Sequence, residues 1–344
     1  MLNFRKKILD SFNYSKSRYN EKFYSYHWKY QNNKKNKLYS VENLINFRNN
    51  NLSYGLDDQF YTEEQTKIFF SDLIKEYGKD FIYEMLENEN IGKVKDVYQL
   101  EDKYYSANEL FHIWHLARIK NKLKLSSKNI ICEIGPGYGS FISKFLKFSD
   151  SKAILIDLPE SNFLSSYFLN YIFPNKKFFL SSDIKNKITR ENILENDIII
   201  ICPWDELPDI KIDFFINSRS MMEMKKETIN YYFDFIHKNI ANDGFFLCIN
   251  RYYKDTVGYP IELHNYPFDS KWKVLISESA WKQPHIHFLF LQRSEKNPEI
   301  LSELKEIKKI LKEQIKNDSR FIRRILPNQV YKIYKHIKYF FLNK

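Results

Sequence analysis

Residues 131–140 read ICEIGPGYGS, placing three of the chain's 8 glycines within five positions, directly after an apolar run. Glycine lets a backbone turn sharply and lets a ligand approach it closely. In an α/β sheet the first strand-to-helix turn lies where ligands bind, beyond the carboxyl ends of the strands. A dinucleotide loop follows GxGxxG; here Gly135, Gly137 and Gly139 alternate, and Ser140 stands where the third glycine would be needed. Two acids separate the readings. Glu133 precedes the first glycine by two residues and faces the loop with a negative charge. Asp157 closes the next apolar run, in LIDLPE, where it can accept hydrogen bonds from both hydroxyls of a ribose. A ligand with an α-ammonium group beside its ribose satisfies both acids, and S-adenosylmethionine is such a ligand.

These residues need elements to hold them. Between 129 and 293, short β-branched or aromatic runs (NIICEI, KAILIDL, DIIIICPW, DFFINS, GFFLCIN, WKVLISE and HIHFLFLQR) alternate with helical stretches such as Ser140–Phe148, Ser161–Ile172 and Lys225–Ile240. That alternation predicts a Rossmann-like, doubly wound α/β sheet of about seven strands, covered by helices on both faces. No helix fits between the last two runs, so the final strand turns back antiparallel. Residues 1–128 read as a helical region that covers the site, with Ser106 and Glu109 forming a capping box. Residues 129–293 read as the ligand-binding domain, and 294–344 as a basic, amphipathic helical tail interrupted by Pro327.

With these residues in view, the chain resembles the class I S-adenosylmethionine-dependent methyltransferases, through EIGPGYG and IDLPE. Within them it is similar to a bacterial family of sugar O-methyltransferases, through DFFINSRSMMEM, FFLCINRYY, YPFDSKW and WKQPHIHFLFLQR. The likeness runs over about 104–293. It implies methyl transfer to a sugar hydroxyl of a surface glycan or its nucleotide-linked precursor. The alternatives are a methyltransferase for a non-sugar small molecule or a lipid, or a binding module without turnover. The resemblance also implies an acidic contact to adenine after the third strand. The segment KKFFLSSDIKNKITREN reads as an insertion and leaves Asp183 and Asp205 as candidates; PWDELPDIKIDFFIN leads straight into the fourth strand and favours Asp205. Asn217, at the end of that strand, completes the expected cofactor set of Glu133, Gly135, Gly137, Gly139, Asp157 and Asp205.

A hydroxyl acceptor needs help to lose its proton. The carboxyl edge of the sheet offers Glu223 after the fourth strand, Arg251 after the fifth and His264 on the loop beyond it. The antiparallel last strand begins at that edge, which brings Gln283, His285 and His287 to the rim. His285 is the first candidate for the base, followed by His264 and Glu223; Arg251 suits pairing with Glu223 or binding a phosphate. His285-x-His287 has metal-ligand spacing, but no Asp-Asp pair stands beside it, and no metal is expected.

The charge is uneven. Residues 1–40 carry 10 Lys/Arg against 2 Asp/Glu, and 319–344 carry 7 against none, which leaves −4 of the total +11 for the rest. An acidic body argues against nucleic acid as a partner. From Ser319 onward, apolar and aromatic residues recur at near-helical spacing opposite the basic ones. Such a helix suits the headgroup layer of an anionic membrane, or packing on the catalytic domain or on a second subunit. Cys132, Cys202 and Cys248 lie in apolar runs without a CxxC pair, which suits reduced thiols in a cytoplasmic protein, and the membrane reading of the tail would place it at the inner face of the cytoplasmic membrane. No run approaches a membrane span, and the first residues lack the apolar core of a secretory signal.

Overall fold

The computed structural model describes residues 2–50, 52–53, 61–255, 257–296 and 298–317. The expected basic segment from Ser319 lies outside the described residues.

Three helical segments open the chain. Helix α1 (Leu2–Ser17) leads through a turn to α2 (Tyr26–Lys35), and α3 (Glu63–Tyr77) runs into α4 (Lys79–Met85) at Gly78. A small antiparallel hairpin follows, β1 (Tyr98–Leu100) and β2 (Lys103–Tyr105), in a region expected to be helical. Helix α5 (Ala107–Ile119) begins at the capping box: the Glu109 N–H donates to Ser106 Oγ at 3.4 Å, and the Ser106 N–H donates to Glu109 Oε2 at 3.1 Å.

Strand and helix then alternate. In order come β3 (Ile130–Ile134), α6 (Ser140–Ser149), β4 (Lys152–Ile156), α7 (Pro159–Ile172), β5 (Phe178–Leu180), α8 (Arg190–Glu195), β6 (Ile198–Ile201), β7 (Ile212–Ser218), α9 (Lys226–Asn239) and β8 (Ile240–Arg251). The short pair β9 (Tyr253–Lys254) and β10 (Ile261–Glu262) precedes the long hairpin of β11 (Trp272–Ala280) and β12 (Gln283–Arg293), and α10 (Ile300–Asn317) follows. The sheet has eight strands in the order β11-β12-β8-β7-β3-β4-β6-β5. Strands β5, β6, β4, β3, β7 and β8 are mutually parallel, and β12 runs antiparallel to β8 and β11. The Rossmann-like, doubly wound fold is therefore present. The strand beyond the expected seven is β5, inside the segment read as an insertion. Its three residues are too few to show a period.

Continuous apolar runs such as IIII of β6 suit a sheet buried on both faces. One face packs on α5, α6 and α7 and the other on α9 and α10, each with its own core cluster. The N-terminal region is joined to the sheet layer by charge as well as by apolar contact. Lys144 on α6 is wholly buried and meets Glu87 Oε1 at 2.7 Å, while Lys147 meets Glu87 Oε2 at 2.9 Å. Burial and Lys144 push the Lys147 ammonium down to about 8, and Glu87 opposes them. Removing one partner of a buried ion pair costs about 3–5 kcal/mol, because the other charge stays behind. Glu87→Ala should therefore destabilise the protein by about 3–5 kcal/mol in urea unfolding, and Glu87→Gln by less.

Candidate functional site

The strand order reverses at β3, which pairs with β4 on one side and with β7 on the other. A cavity of about 430 Å³ opens there, beyond the carboxyl ends of the strands. Its floor is the glycine loop. Gly135 has φ +70°, and a Cβ there would collide with the Ser220 side chain. Ser220 is itself fixed, since its Oγ donates to the Ile134 carbonyl at 3.0 Å. Gly139 has φ +89° and starts α6 without a side-chain cap.

Two acids face this floor. Asp157, at the end of β4, accepts from the Leu158 N–H at 2.7 Å and the Gly137 N–H at 3.0 Å. Burial nevertheless pushes its carboxyl up to about 7, with the two N–H groups and Ser161 opposing. Glu133, at the end of β3, is 1% exposed, and its Oε2 is buried with no hydrogen-bond partner. Burial, with Asp157 adding to it, pushes its carboxyl up to about 8.

The wall opposite the loop comes from the N-terminal region. Phe23 and, from α2, His27, Trp28 and Gln31 line the cavity, as do Asn108 and His112 from α5. The segment that carries α2 is anchored to the carboxyl ends of the sheet. Lys16 pairs with Glu160 at 2.7 Å, the Tyr24 hydroxyl donates to Glu160 Oε2 at 3.0 Å, and Lys7 pairs with Asp183 at 2.7 Å. Arg18 pairs with Asp205 Oδ1 at 2.7 Å, while Asp205 Oδ2 accepts from the Cys202 N–H at 2.9 Å and from Ser181 Oγ at 2.7 Å.

Among the residues picked from the sequence, Glu133, Gly135, Gly137, Asp157, Glu223 and Arg251 line the cavity. Asn217 lies behind the loop, wholly buried; its Nδ2 donates to the Ile134 carbonyl at 2.8 Å, and its Oδ1 accepts from Asn250 at 2.8 Å. Gly139 faces Leu169 rather than the cavity. Asp183 and Asp205 are both behind the wall, engaged by α1 and by the residue after its last turn.

The histidines are placed differently from expectation. His285 does sit where β12 enters the active edge, beside the Ile286–Arg251 register pair, yet it is exposed and outside the cavity lining. His287 is buried away from it, with Nδ1 at 2.9 Å from the Tyr252 hydroxyl and Nε2 at 2.9 Å from Ser277 Oγ. His264 lies on a turn that packs against α10, with Nε2 at 3.5 Å from Glu262. The imidazoles that do line the cavity are His27 and His112, which sequence reasoning passed over. His112 Nδ1 is 3.1 Å from Ser140 Oγ, and burial holds its pKa well below the ordinary value. Burial also lowers His27, against an opposing pull from Glu223. Glu223 itself is paired with Lys254, another cavity residue. His112 belongs to FHIW, read as part of the cover. His27 sits in FYSYHWKY, where the density of aromatics in a polar stretch is the only local signal.

Among the described residues, no cluster of three or more His, Cys, Asp or Glu is arranged to hold a metal ion.

No family model matches the chain, and no curated protein is similar to it in sequence. Solved structures with a related chain course include the mitomycin 7-O-methyltransferase MmcR, at 14% identity over 55% of this chain and 57% of that one, TM-score 0.35. The pyocyanin biosynthetic protein PhzM matches at 10% identity over 55% and 58%, TM-score 0.35. An S-adenosylmethionine-dependent methyltransferase from Mesorhizobium loti matches at 12% identity over 52% and 98%, TM-score 0.36. The chain thus spans little more than half the length of the first two. The fold assignment rests on the strand order, and the site stands on its own residues.

Glu133 and Asp157 hold their protons more tightly in the folded chain than in the unfolded one. Stability from their neutral forms is therefore present at low pH and is lost as pH rises through about 7 and about 8. Glu133→Gln cannot ionise. Urea titrations at about pH 6 and about pH 9 should show the parent chain losing more stability on the alkaline side than this variant.

Proposed function

We propose that the chain is an S-adenosylmethionine-dependent O-methyltransferase whose acceptor is a sugar hydroxyl of a glycan or of its nucleotide-linked precursor. The observation that carries the cofactor is Glu133. A buried carboxylate oxygen without a partner, on the floor of a cavity, is an unmet need for a cationic donor. An α-ammonium group meets it. Asp157, 24 residues on, suits the ribose hydroxyls, and Phe23, Trp28, Leu158 and Pro203 line an apolar part of the cavity suited to adenine. When bound, the cofactor supplies a methyl group on a sulfonium, open to in-line displacement.

The chain's own residues then have two tasks. The first is alignment, which the closed wall of α2 and α5 serves by confining the acceptor against the loop. The second is removal of the hydroxyl proton. His27 suits this: burial keeps it neutral near pH 7, and the nearby carboxylate of Glu223 favours the imidazolium that forms. Lys254 holds Glu223 in place. His112 offers a second neutral imidazole next to the loop. The sugar acceptor is supported by the resemblance of DFFINSRSMMEM and WKQPHIHFLFLQR, and three buried thiols suit a reducing cytoplasm. In this reading residues 1–128 cover the site and 129–293 carry it.

S-Adenosylhomocysteine should raise the melting temperature of the purified protein, whereas NAD should not. Ligand at 100 times its dissociation constant adds about 2.7 kcal/mol. Absence of any shift in cofactor-free protein would sink the reading. Asp157→Ala should remove most of the shift. His27→Ala should lower turnover by about 10² to 10⁴ while leaving the S-adenosylhomocysteine shift in place. Turnover retained in His27→Ala, but lost in His112→Ala, would move the base to α5.

A further inference from the structure

Helix α2 has two unlike faces. His27, Trp28 and Gln31 line the cavity, and Asn32 and Lys35 are buried. The outward face carries Tyr26 and Tyr30, one turn apart, at 72% and 50% exposure. Tyr19, on the turn before it, is 47% exposed. Among the described residues these are three of the eight exposed large hydrophobic side chains, and they fall within twelve residues. Lysines flank them in the chain, and Glu21, the acid just before the strip, is paired with Lys29. Lys22, Lys34 and Lys37 are exposed, and the Lys34 ammonium sits 4.1 Å from the centre of the Tyr30 ring. From Lys22 to Val41 there is no Asp or Glu.

We propose that this face of α2 docks on an anionic membrane surface. Tyrosine places an apolar ring with a polar tip, which suits the headgroup layer, and lysines beside it meet the negative surface potential. A second copy of the chain is a poor occupant, because a two-fold contact would press one basic strip against another. A nucleic acid is also a poor one, because the strip is a single helix of 10 residues and the turn before it, with three exposed tyrosines, rather than an extended basic groove. Among the described residues no helix is long and apolar enough to cross a membrane, so the contact is peripheral.

Docking has a consequence for the cavity. The same helix is the cavity's wall, so its outer face on a membrane brings the cavity to the headgroup layer. An acceptor on a lipid carrier would then reach it without leaving the membrane. The purpose of docking rests on the methyl-transfer reading; the docking itself does not, and its test uses no cofactor.

The full chain is sedimented with vesicles of phosphatidylcholine alone and of phosphatidylcholine with phosphatidylglycerol. It should pellet with the anionic vesicles only, and less so in high salt. At about fivefold per lysine, Lys22→Gln with Lys34→Gln should weaken the partition by about 25-fold. Tyr26→Ala with Tyr30→Ala should weaken it at unchanged charge. Both double variants change exposed side chains, and unchanged melting temperatures will show that they fold. Binding that survives both pairs belongs to another part of the chain, such as the basic segment from Ser319, and overturns the proposal. So does tight, tyrosine-independent binding to heparin, or a dimer that the tyrosine pair dissolves.

Discussion

A carboxylate buried without a full set of partners governs this structure. Glu133 lies near the end of the central strand, between β4 and β7, where its own backbone is in register with Leu155 and Ile216 in the parallel ladder. Its Oε2 has no donor from the sheet, and burial answers by holding the proton on. Such a group is costly to keep. It is tolerated here because the neutral form is available. The geometry around it is correspondingly stiff. Asn217, Asn250 and Ser220 tie β7 and β8 to the Ile134 carbonyl, and only glycine at 135 leaves room for that knot.

The roof over the cavity follows from the same edge. Parallel strands end with their carboxyl termini side by side, and three acids stand there or just beyond: Glu160, Asp183 and Asp205. Each is taken by a cation from the first 18 residues. Glu160 and Asp205 are nearly or wholly buried, so these pairs are worth more than exposed ones, yet their lysine and arginine partners keep about a third of their surface in water. The roof is thus fastened by several moderate contacts rather than by one deep core. Phe23, Tyr24 and Leu158 add a small apolar cluster, with Trp28 and Trp204 packed against it.

Much of this was legible in the sequence, and the part that was not has a clear physical reason. Glu133, the glycines and Asp157 declare themselves through local spacing, because the strand–turn–helix unit that holds them is itself local. The antiparallel last strand was legible for the same reason: no helix fits between WKVLISE and HIHFLFLQR. The histidines were not. Alternation along β12 predicts one face for His285 and His287, but it does not say that His287 is buried against Ser277 and Tyr252 or that His285 is exposed outside the cavity lining. His27 is the converse case. It lies more than 100 residues before the loop, and the long-range ion pairs, hydrogen bond and apolar cluster of the roof bring it there. Strand β5 escaped because three residues carry no period.

Asp205 shows how the roof and the site are linked. The resemblance seen in the sequence implies an acid after the strand beside β4 that contacts a ligand's base. Here that carboxylate receives Arg18, Cys202 N–H and Ser181 Oγ, and nothing of it lines the cavity. The nearby wall of the cavity comes instead from the segment it anchors, through Phe23 and Trp28. Polar selectivity at the floor is thereby combined with apolar contact at the roof. The consequence is mutual: a ligand seated under Phe23 and Trp28 stabilises the strap, and whatever holds the strap down stabilises the ligand by the same free energy.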